Sequence, residues 1–186
     1  MQEILDKYKI KVDYYNILLN MWNESTRGYH TQNHLLDLID KINDIKESIS
    51  EKDYDKLMLC AVFHDIVYDG SKFDNEEKSA EFFINCCYDK TDADILEVKQ
   101  MILDTKTHQA NTKLSETFNR FDMGIVDEEY DKLLEWESGI QSEYLPHYSK
   151  EVYKEGRLQF LESLLDKHPQ NMQNLSKLID YVKTNY

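Results

Sequence analysis

Residues 57–69 read LMLCAVFHDIVYD, so seven apolar residues run directly into His64 and Asp65. The pattern predicts a buried helix that ends in an imidazole and a carboxylate. An ionised carboxylate without compensation would cost several kcal/mol in such apolar surroundings. Asp65 therefore requires a cation or strong hydrogen-bond donors nearby. The alternative is that Asp65 caps the next turn while His64 is a core histidine with one satisfied nitrogen.

The segments around this helix also have a helical pattern. The chain contains only five glycines and two prolines, and apolar residues recur at spacings of three and four. Both features favour an all-α protein, which we expect to be one domain formed by a bundle of about seven to eight helices. The predicted helices cover residues 2–23, 31–48, 52–67, 74–88, 92–106, 127–146, 149–167 and 171–184.

Capping patterns mark several of the predicted helix boundaries. Ser50 precedes Asp53 in a capping-box pattern, and Asp74 and Asp127 each stand before acidic residues of a first turn. Gly70, with polar neighbours, predicts a turn in the left-handed conformation after the helix that carries His64. This turn would place Tyr68 at the end of that helix.

The composition of the chain indicates where the protein is located and what kinds of partner it binds. The 186 residues have a formal net charge of −14, which opposes binding to long nucleic acids or anionic membranes. No apolar run approaches the roughly 20 residues that cross a bilayer, and the amino terminus has no signal-peptide pattern. We expect a cytoplasmic protein with a small-molecule partner. Apolar faces on the last two predicted helices leave a homodimer open.

The three cysteines are expected to be reduced thiols. Cys86 and Cys87 are neighbours, and Cys60 lies one turn before His64. No CxxC pair is present, and all three lie in apolar helical segments. Buried packing is therefore the interpretation we prefer to metal binding.

A dense polar cluster, RGYHTQNH, occupies residues 27–34 at the start of a predicted helix. His30 and His34 are four residues apart and so share one helical face, a spacing compatible with two imidazoles on one metal ion. The alternative is a pair of polar histidines on a solvated turn, because no HExxH glutamate accompanies them.

The sequence resembles the HD superfamily of metal-dependent phosphohydrolases, in which a histidine, a His-Asp doublet and a distant aspartate follow one another. His34, His64, Asp65 and Asp122 fit that order. More narrowly, the chain is similar to a bacterial family of predicted HD-superfamily phosphohydrolases over about residues 20–165. The segments that carry the resemblance are YHTQNH at 29–34, FHDIVYD at 63–69, DNEEKSAE at 74–81, TKTH at 105–108, FDMGI at 121–125, EY at 143–144 and GR at 156–157.

The resemblance implies an HD-type helical fold and one or two divalent metal ions held by those four residues. A mixed nitrogen and oxygen site suits Mn²⁺, Fe²⁺, Co²⁺, Ni²⁺ or Zn²⁺ better than Ca²⁺, and Mg²⁺ also remains open. Such an ion activates water and polarises a phosphoryl oxygen, so hydrolysis of a phosphate ester or anhydride of a small molecule, most simply a nucleotide, is the expected reaction.

Further site residues are expected around the ion. As catalytic candidates beside Asp65, Glu76 or Glu77 could serve as a general base, although both also fit a helix N-terminus. His108 could complete a second metal site or contact the leaving group, or it could be an ordinary helix C-terminal residue. The expected substrate-binding residues are Arg27, His30, Tyr68 and Arg157. For Arg157 the alternative is a structural pair with a nearby carboxylate.

Two other functions remain open at this point. The first is a metal-binding or nucleotide-binding sensor module that has lost turnover. The second is a di-iron oxygenase, since some HD-fold enzymes use two irons with oxygen.

Overall fold

The computed structural model describes all 186 residues and is all-α, as predicted. Ten α-helices form the fold, together with one π-helix, three 3-10 helices and a single isolated bridge between Ile10 and Cys87. None of the helices combines the length and the hydrophobicity that a bilayer crossing requires. The α-helices are α1 Gln2–Lys7, α2 Leu19–Trp22, α3 Gln32–Asp44, α4 Glu51–Phe63, α5 Asn75–Cys86, α6 Ala93–Asp104, α7 Lys113–Asp122, α8 Tyr130–Tyr144, α9 Lys150–Leu165 and α10 Met172–Asn185.

The helix count exceeds the predicted seven to eight for two local reasons. The predicted helix over 2–23 is broken, because Lys9 adopts a left-handed conformation with φ of 52° and the side chain of Asp13 caps a new start by accepting from the Asn16 amide. Helix α7, Lys113–Asp122, was not predicted at all.

The chain divides into two compact units, Met1–Asp122 and Met123–Tyr186. The prediction of one domain stays a prediction. In the first unit α4 is the central helix, and it packs against α1, α3, α5, α6 and α7. All residues from Leu57 to Phe63 are buried, which is the pattern of a helix surrounded on every side. The second unit consists of α8, α9 and α10, with α10 packed against the other two.

The predicted helix starts are confirmed at Ser50 and corrected at Asp127. The Ser50 hydroxyl accepts a hydrogen bond from the Asp53 amide at 3.0 Å, as a capping box requires. Helix α8 has Glu129 rather than Asp127 as its N-cap. Asp127 instead accepts hydrogen bonds from His168 and Gln170 within the second unit.

The turn after α4 also differs from its prediction. No glycine has a positive φ, so Gly70 is not left-handed. The turn is closed by the Lys72 amide, which donates to the Asp69 carbonyl at 2.9 Å, and by the Ser71 amide and hydroxyl, which both donate to the Asp69 carboxylate. A polar side chain therefore shapes this turn.

The cysteines are free thiols, as expected. Cys60 and Cys87 are buried, while Cys86 is partly exposed. Burial raises the pKa of the Cys60 thiol, and the nearby charge of Asp122 raises it further. Cys60 therefore packs in the core as a neutral thiol.

Candidate metal centre

The four predicted metal ligands come from the ends of three helices in the first unit. His34 lies in the first turn of α3, which Thr31 begins by accepting a hydrogen bond from the Asn33 amide. His64 caps the C-terminus of α4 and Asp65 follows it, while Asp122 is the last residue of α7. Packing of α3 and α7 against α4 brings these helix ends together.

The ligand atoms face one another at short distances. The Nε2 atom of His34 lies 3.0 Å from Oδ1 of Asp122. The Nε2 atom of His64 lies 3.2 Å from Oδ2 of Asp65 and 3.4 Å from Oδ1 of Asp122. Ligand atoms of His34, His64 and Asp65 all lie within 4.8 Å of one another, a spacing that one metal ion can bridge.

The orientation of the His64 ring is the most telling feature of the cluster. Its Nδ1 atom lies 3.0 Å from the Ala61 carbonyl, and a carbonyl only accepts, so Nδ1 carries a proton. In the neutral ring, Nε2 then carries a lone pair. That Nε2 atom is buried without a hydrogen-bond partner and faces the carboxylates of Asp65 and Asp122. The lone pair of a neutral His64 would repel these negatively charged carboxylates. A cation between the groups, or a proton on Nε2, removes that repulsion.

The electrostatics of the site favour positive charge. Burial disfavours the charged form of His64, but the charges of Asp65 and Asp122 outweigh that effect and raise the pKa of His64 well above its ordinary value. Burial likewise opposes ionisation of the two carboxyls, yet the charge of His64 and the other neighbouring imidazoles hold the pKa of Asp65 and that of Asp122 well below their ordinary values. Both carboxylates therefore stay ionised as potential ligands.

Two further histidines lie beside the same carboxylates. The Nε2 atom of His108 lies 3.0 Å from Oδ2 of Asp122, and that of His30 lies 3.9 Å from Oδ2 of Asp65. The His30 ring also stacks on Tyr68, with ring centroids 4.1 Å apart. Four of the six histidines of the chain thus surround two carboxylates. Whether His30, Tyr68 or His108 contacts an ion or a substrate stays a prediction.

His108 does not belong to the end of a helix. It lies in the loop between α6 and α7 and adopts the left-handed conformation with φ of 52°. Among residues other than glycine, asparagine, aspartate and histidine adopt this conformation most often. Helix α6 ends at Asp104, so His108 is not a helix C-terminal residue.

The two candidate bases have different surroundings. Glu77 is half-exposed and its carboxylate lies 2.5 Å from Nζ of Lys106, so this side chain is held in a salt bridge. Glu76 is more buried, and burial together with the charge of Asp65 raises the pKa of its carboxyl. A raised pKa suits a proton acceptor near neutral pH, so Glu76 is the better candidate.

Arg27 is placed beside the cluster, but its side chain is directed inward, and contact with a substrate stays a prediction. Its side chain is fully buried, and its guanidinium donates to the carbonyls of His30, Asp65 and Ile66 at 3.0, 2.8 and 3.0 Å. Nη1 and Nη2 thus bind the protein's own backbone, whereas the buried Nε has no hydrogen-bond partner.

Arg157 forms the structural pair with a carboxylate that was the alternative to substrate binding. In the second unit its Nε atom donates to Glu137 at 2.6 Å, and its guanidinium lies over the Trp136 ring at 4.1 Å. The Tyr153 hydroxyl donates to the other oxygen of Glu137 at 2.6 Å. The ion pair is buried, so Arg157 is explained by the packing of its own unit.

Sequence reasoning missed one residue that shapes the site. Asp104, at the end of α6, accepts hydrogen bonds from Gln100, Ser115 and both the backbone and side-chain amides of Asn111. These bonds tie together the two ends of the loop that carries His108. Nothing in the sequence distinguishes Asp104 from the other 35 acidic residues, because its partners become neighbours only after folding.

Comparison of the chain with protein-family models, with curated proteins and with solved structures found no match. The resemblance to the HD superfamily therefore rests on the motifs alone.

Proposed function

We propose that this protein is a metal-dependent hydrolase that cleaves a phosphate ester or anhydride of a small molecule, with nucleotides as the substrate class to test first. The observation that carries the proposal is the buried Nε2 atom of His64, which has no hydrogen-bond partner and faces two carboxylates. The HD-type motif order of its neighbours is the reason for choosing phosphate hydrolysis among metal-dependent reactions.

The donor set fits a divalent transition metal. Nε2 of His34 and of His64, with carboxylate oxygens of Asp65 and Asp122, would hold the ion. Two imidazole nitrogens with two carboxylates suit Mn²⁺, Fe²⁺, Co²⁺, Ni²⁺ or Zn²⁺. When bound, such an ion supplies a coordinated water of lowered pKa and offsets negative charge on a phosphoryl group.

The remaining residues would transfer protons or fix the orientation of the His64 ring. Burial, with a smaller contribution from the charge of Asp65, raises the pKa of the Glu76 carboxyl, which is the direction that favours a proton acceptor. The Nδ1 proton of His64, held on the Ala61 carbonyl, fixes its ring so that Nε2 points toward the carboxylates. His30 and His108 lie close enough to Asp65 and Asp122 to donate protons to a substrate oxygen bound beside them.

The first test couples metal content to turnover. Wild-type protein should contain or bind a divalent metal and release phosphate from members of a nucleotide panel supplied with Mn²⁺, Co²⁺ or Mg²⁺. Asp65→Ala and His64→Ala should lose both properties while retaining nearly all helical content by circular dichroism. Asp131→Ala is the matched control, because Asp131 is an exposed residue of α8.

A second readout does not depend on activity. The Trp22 ring lies 5.6 Å from the His64 ring, and the chain has only two tryptophans, so Trp136→Phe leaves Trp22 as the single emitter. Co²⁺ or Ni²⁺ should quench its fluorescence in a saturable way, and Asp65→Ala should abolish this quenching. Metal binding without phosphate release would favour the sensor or oxygenase alternatives, and absence of both would contradict the proposed site.

A further inference from the structure

Arg27 is a buried cation whose only salt bridge is a long one to a half-exposed carboxylate. Its side chain is 0% exposed, and the nearest carboxylate oxygen, from the half-exposed Glu24, is 3.5 Å from Nε. The aromatic rings of Trp22 and Tyr68 lie 5.3 and 5.7 Å from its guanidinium carbon. Burying a charge is costly unless hydrogen bonds compensate for it, so the partners of this guanidinium are informative.

Those contacts join the two segments that carry the candidate ligands. Nη1 donates to the carbonyl of His30, which precedes α3, and to the carbonyl of Asp65, which follows α4. Nη2 donates to the carbonyl of Ile66. We call the guanidinium of Arg27 and these three carbonyls the Arg27 clamp.

The clamp has a clear chemical basis at the end of α4. The carbonyls of Asp65 and Ile66 lie just beyond α4 and its C-cap His64, so they are not bonded within the helix and need another donor when they are buried. The rigid, planar guanidinium can donate to several acceptors at once, whereas a lysine ammonium is a flexible point charge. An arginine can therefore fix the distance between the two segments.

We propose that Arg27 is a positioning residue that holds the His30–His34 segment against His64 and Asp65, and so sets the affinity of the site for a divalent ion. This inference rests on the proposed function. The carbonyl that Arg27 binds belongs to Asp65 itself, so loss of the clamp frees the backbone from which this carboxylate projects. A change in ligand position of this kind weakens metal binding without removing any ligand.

The test compares Arg27→Lys with the wild type in Co²⁺ titrations, followed by visible absorption and by quenching of Trp22 in the Trp136→Phe background. We expect Arg27→Lys to retain its helical content, to bind Co²⁺ about 10- to 100-fold more weakly, and to show a shifted absorption band. Arg120→Lys is the matched control, since Arg120 is exposed on α7, and it should behave like the wild type.

The outcomes separate the clamp from the proposed function. A folded Arg27→Lys protein with wild-type Co²⁺ affinity and spectrum overturns the clamp while the metal site stands. A wild-type protein that binds no Co²⁺ overturns both.

If Arg27→Lys does not fold, the wild type provides the test. Coupling between two events is reciprocal, so Zn²⁺ should slow hydrogen exchange of the Arg27 guanidinium protons, measured in arginine-labelled protein. The chain has only three arginines, which makes the assignment simple. Exchange that does not respond to Zn²⁺ would overturn the clamp.

Discussion

Asp104 and Asp122 are two aspartates of the first unit that end consecutive helices, yet their partners differ. Asp104 accepts hydrogen bonds from neutral amides and a hydroxyl, which satisfy both of its oxygens. Asp122 lies among the imidazoles of His34, His64 and His108. A carboxylate surrounded by neutral donors has its hydrogen bonds supplied within the fold, whereas one surrounded by imidazoles can share these neighbours with an added proton or, as proposed, a metal ion.

Replacing each carboxylate by an amide should reveal the largest difference between Asp122 and Asp104. Asp122→Asn should reduce metal-dependent phosphate release to background and abolish Co²⁺ binding, because one ligand is lost. Asp104→Asn should leave Co²⁺ affinity near that of the wild type. It should also lower the free energy of unfolding by about 1–3 kcal/mol, since an amide nitrogen would face donors. Urea denaturation and Co²⁺ titration measure the two effects, and equal metal loss in both variants would contradict the distinction.

The pH dependence of stability should also differ between the Asp122 cluster, through His64, and Asp104. The pKa of His64 is raised above its ordinary 6.5, so the native metal-free protein binds a proton that the unfolded chain releases. The stabilisation is complete below about pH 6.5 and is lost as pH rises through the raised pKa. Asp104 has a lowered pKa, so its contribution is lost only as pH falls below its ordinary 3.8.

Thermal melting in a chelator from about pH 6 to about pH 9 should therefore show falling stability. The fall should shrink in Asp122→Asn and persist in Asp104→Asn. With Zn²⁺ present, the stabilisation by metal should grow over the same range, because ligand imidazoles must be neutral. A metal-free protein whose stability is flat in both backgrounds would contradict the assigned protonation of His64.

The loop between the two aspartates allows a smaller test. His108→Asn keeps a residue that tolerates the left-handed conformation but removes the imidazole beside Asp122, and we expect metal affinity to fall about tenfold with little change in stability. Asn111→Ala removes the side-chain bond to Asp104 and should cost about 1 kcal/mol of unfolding free energy. Its metal affinity should stay near that of the wild type, and isothermal titration with Zn²⁺ compares the two.

Local patterns predicted the parts of the molecule that depend on local interactions. The apolar run from Leu57 to Phe63 predicted the buried helix α4, and Ser50 predicted its start. The doublet of His64 and Asp65 at its end was predicted as part of a site, and the structure brings His34 and Asp122 to it.

Roles that depend on distant backbone atoms were not predictable. Arg27 was expected to bind substrate, but its guanidinium donates to the His30 carbonyl and to carbonyls 38 and 39 residues further along the chain. Helix α7 was missed because the segment is short and follows the polar stretch QANT at 109–112. The start of α7 does have a local cap, because the Thr112 hydroxyl accepts from the Ser115 amide at 3.1 Å. The contacts of Phe118 with the His64 ring and of Ser115 with Asp104 form only in the folded protein.

The hydrogen bond between His34 and Asp122 joins residues that are 88 positions apart in the chain. Closing a loop of that length carries an entropic cost that is repaid only after the helices between them have packed. The cluster should therefore assemble late in folding, after α4 has been covered by its neighbours. A chain that is still incompletely folded would therefore lack the cluster altogether.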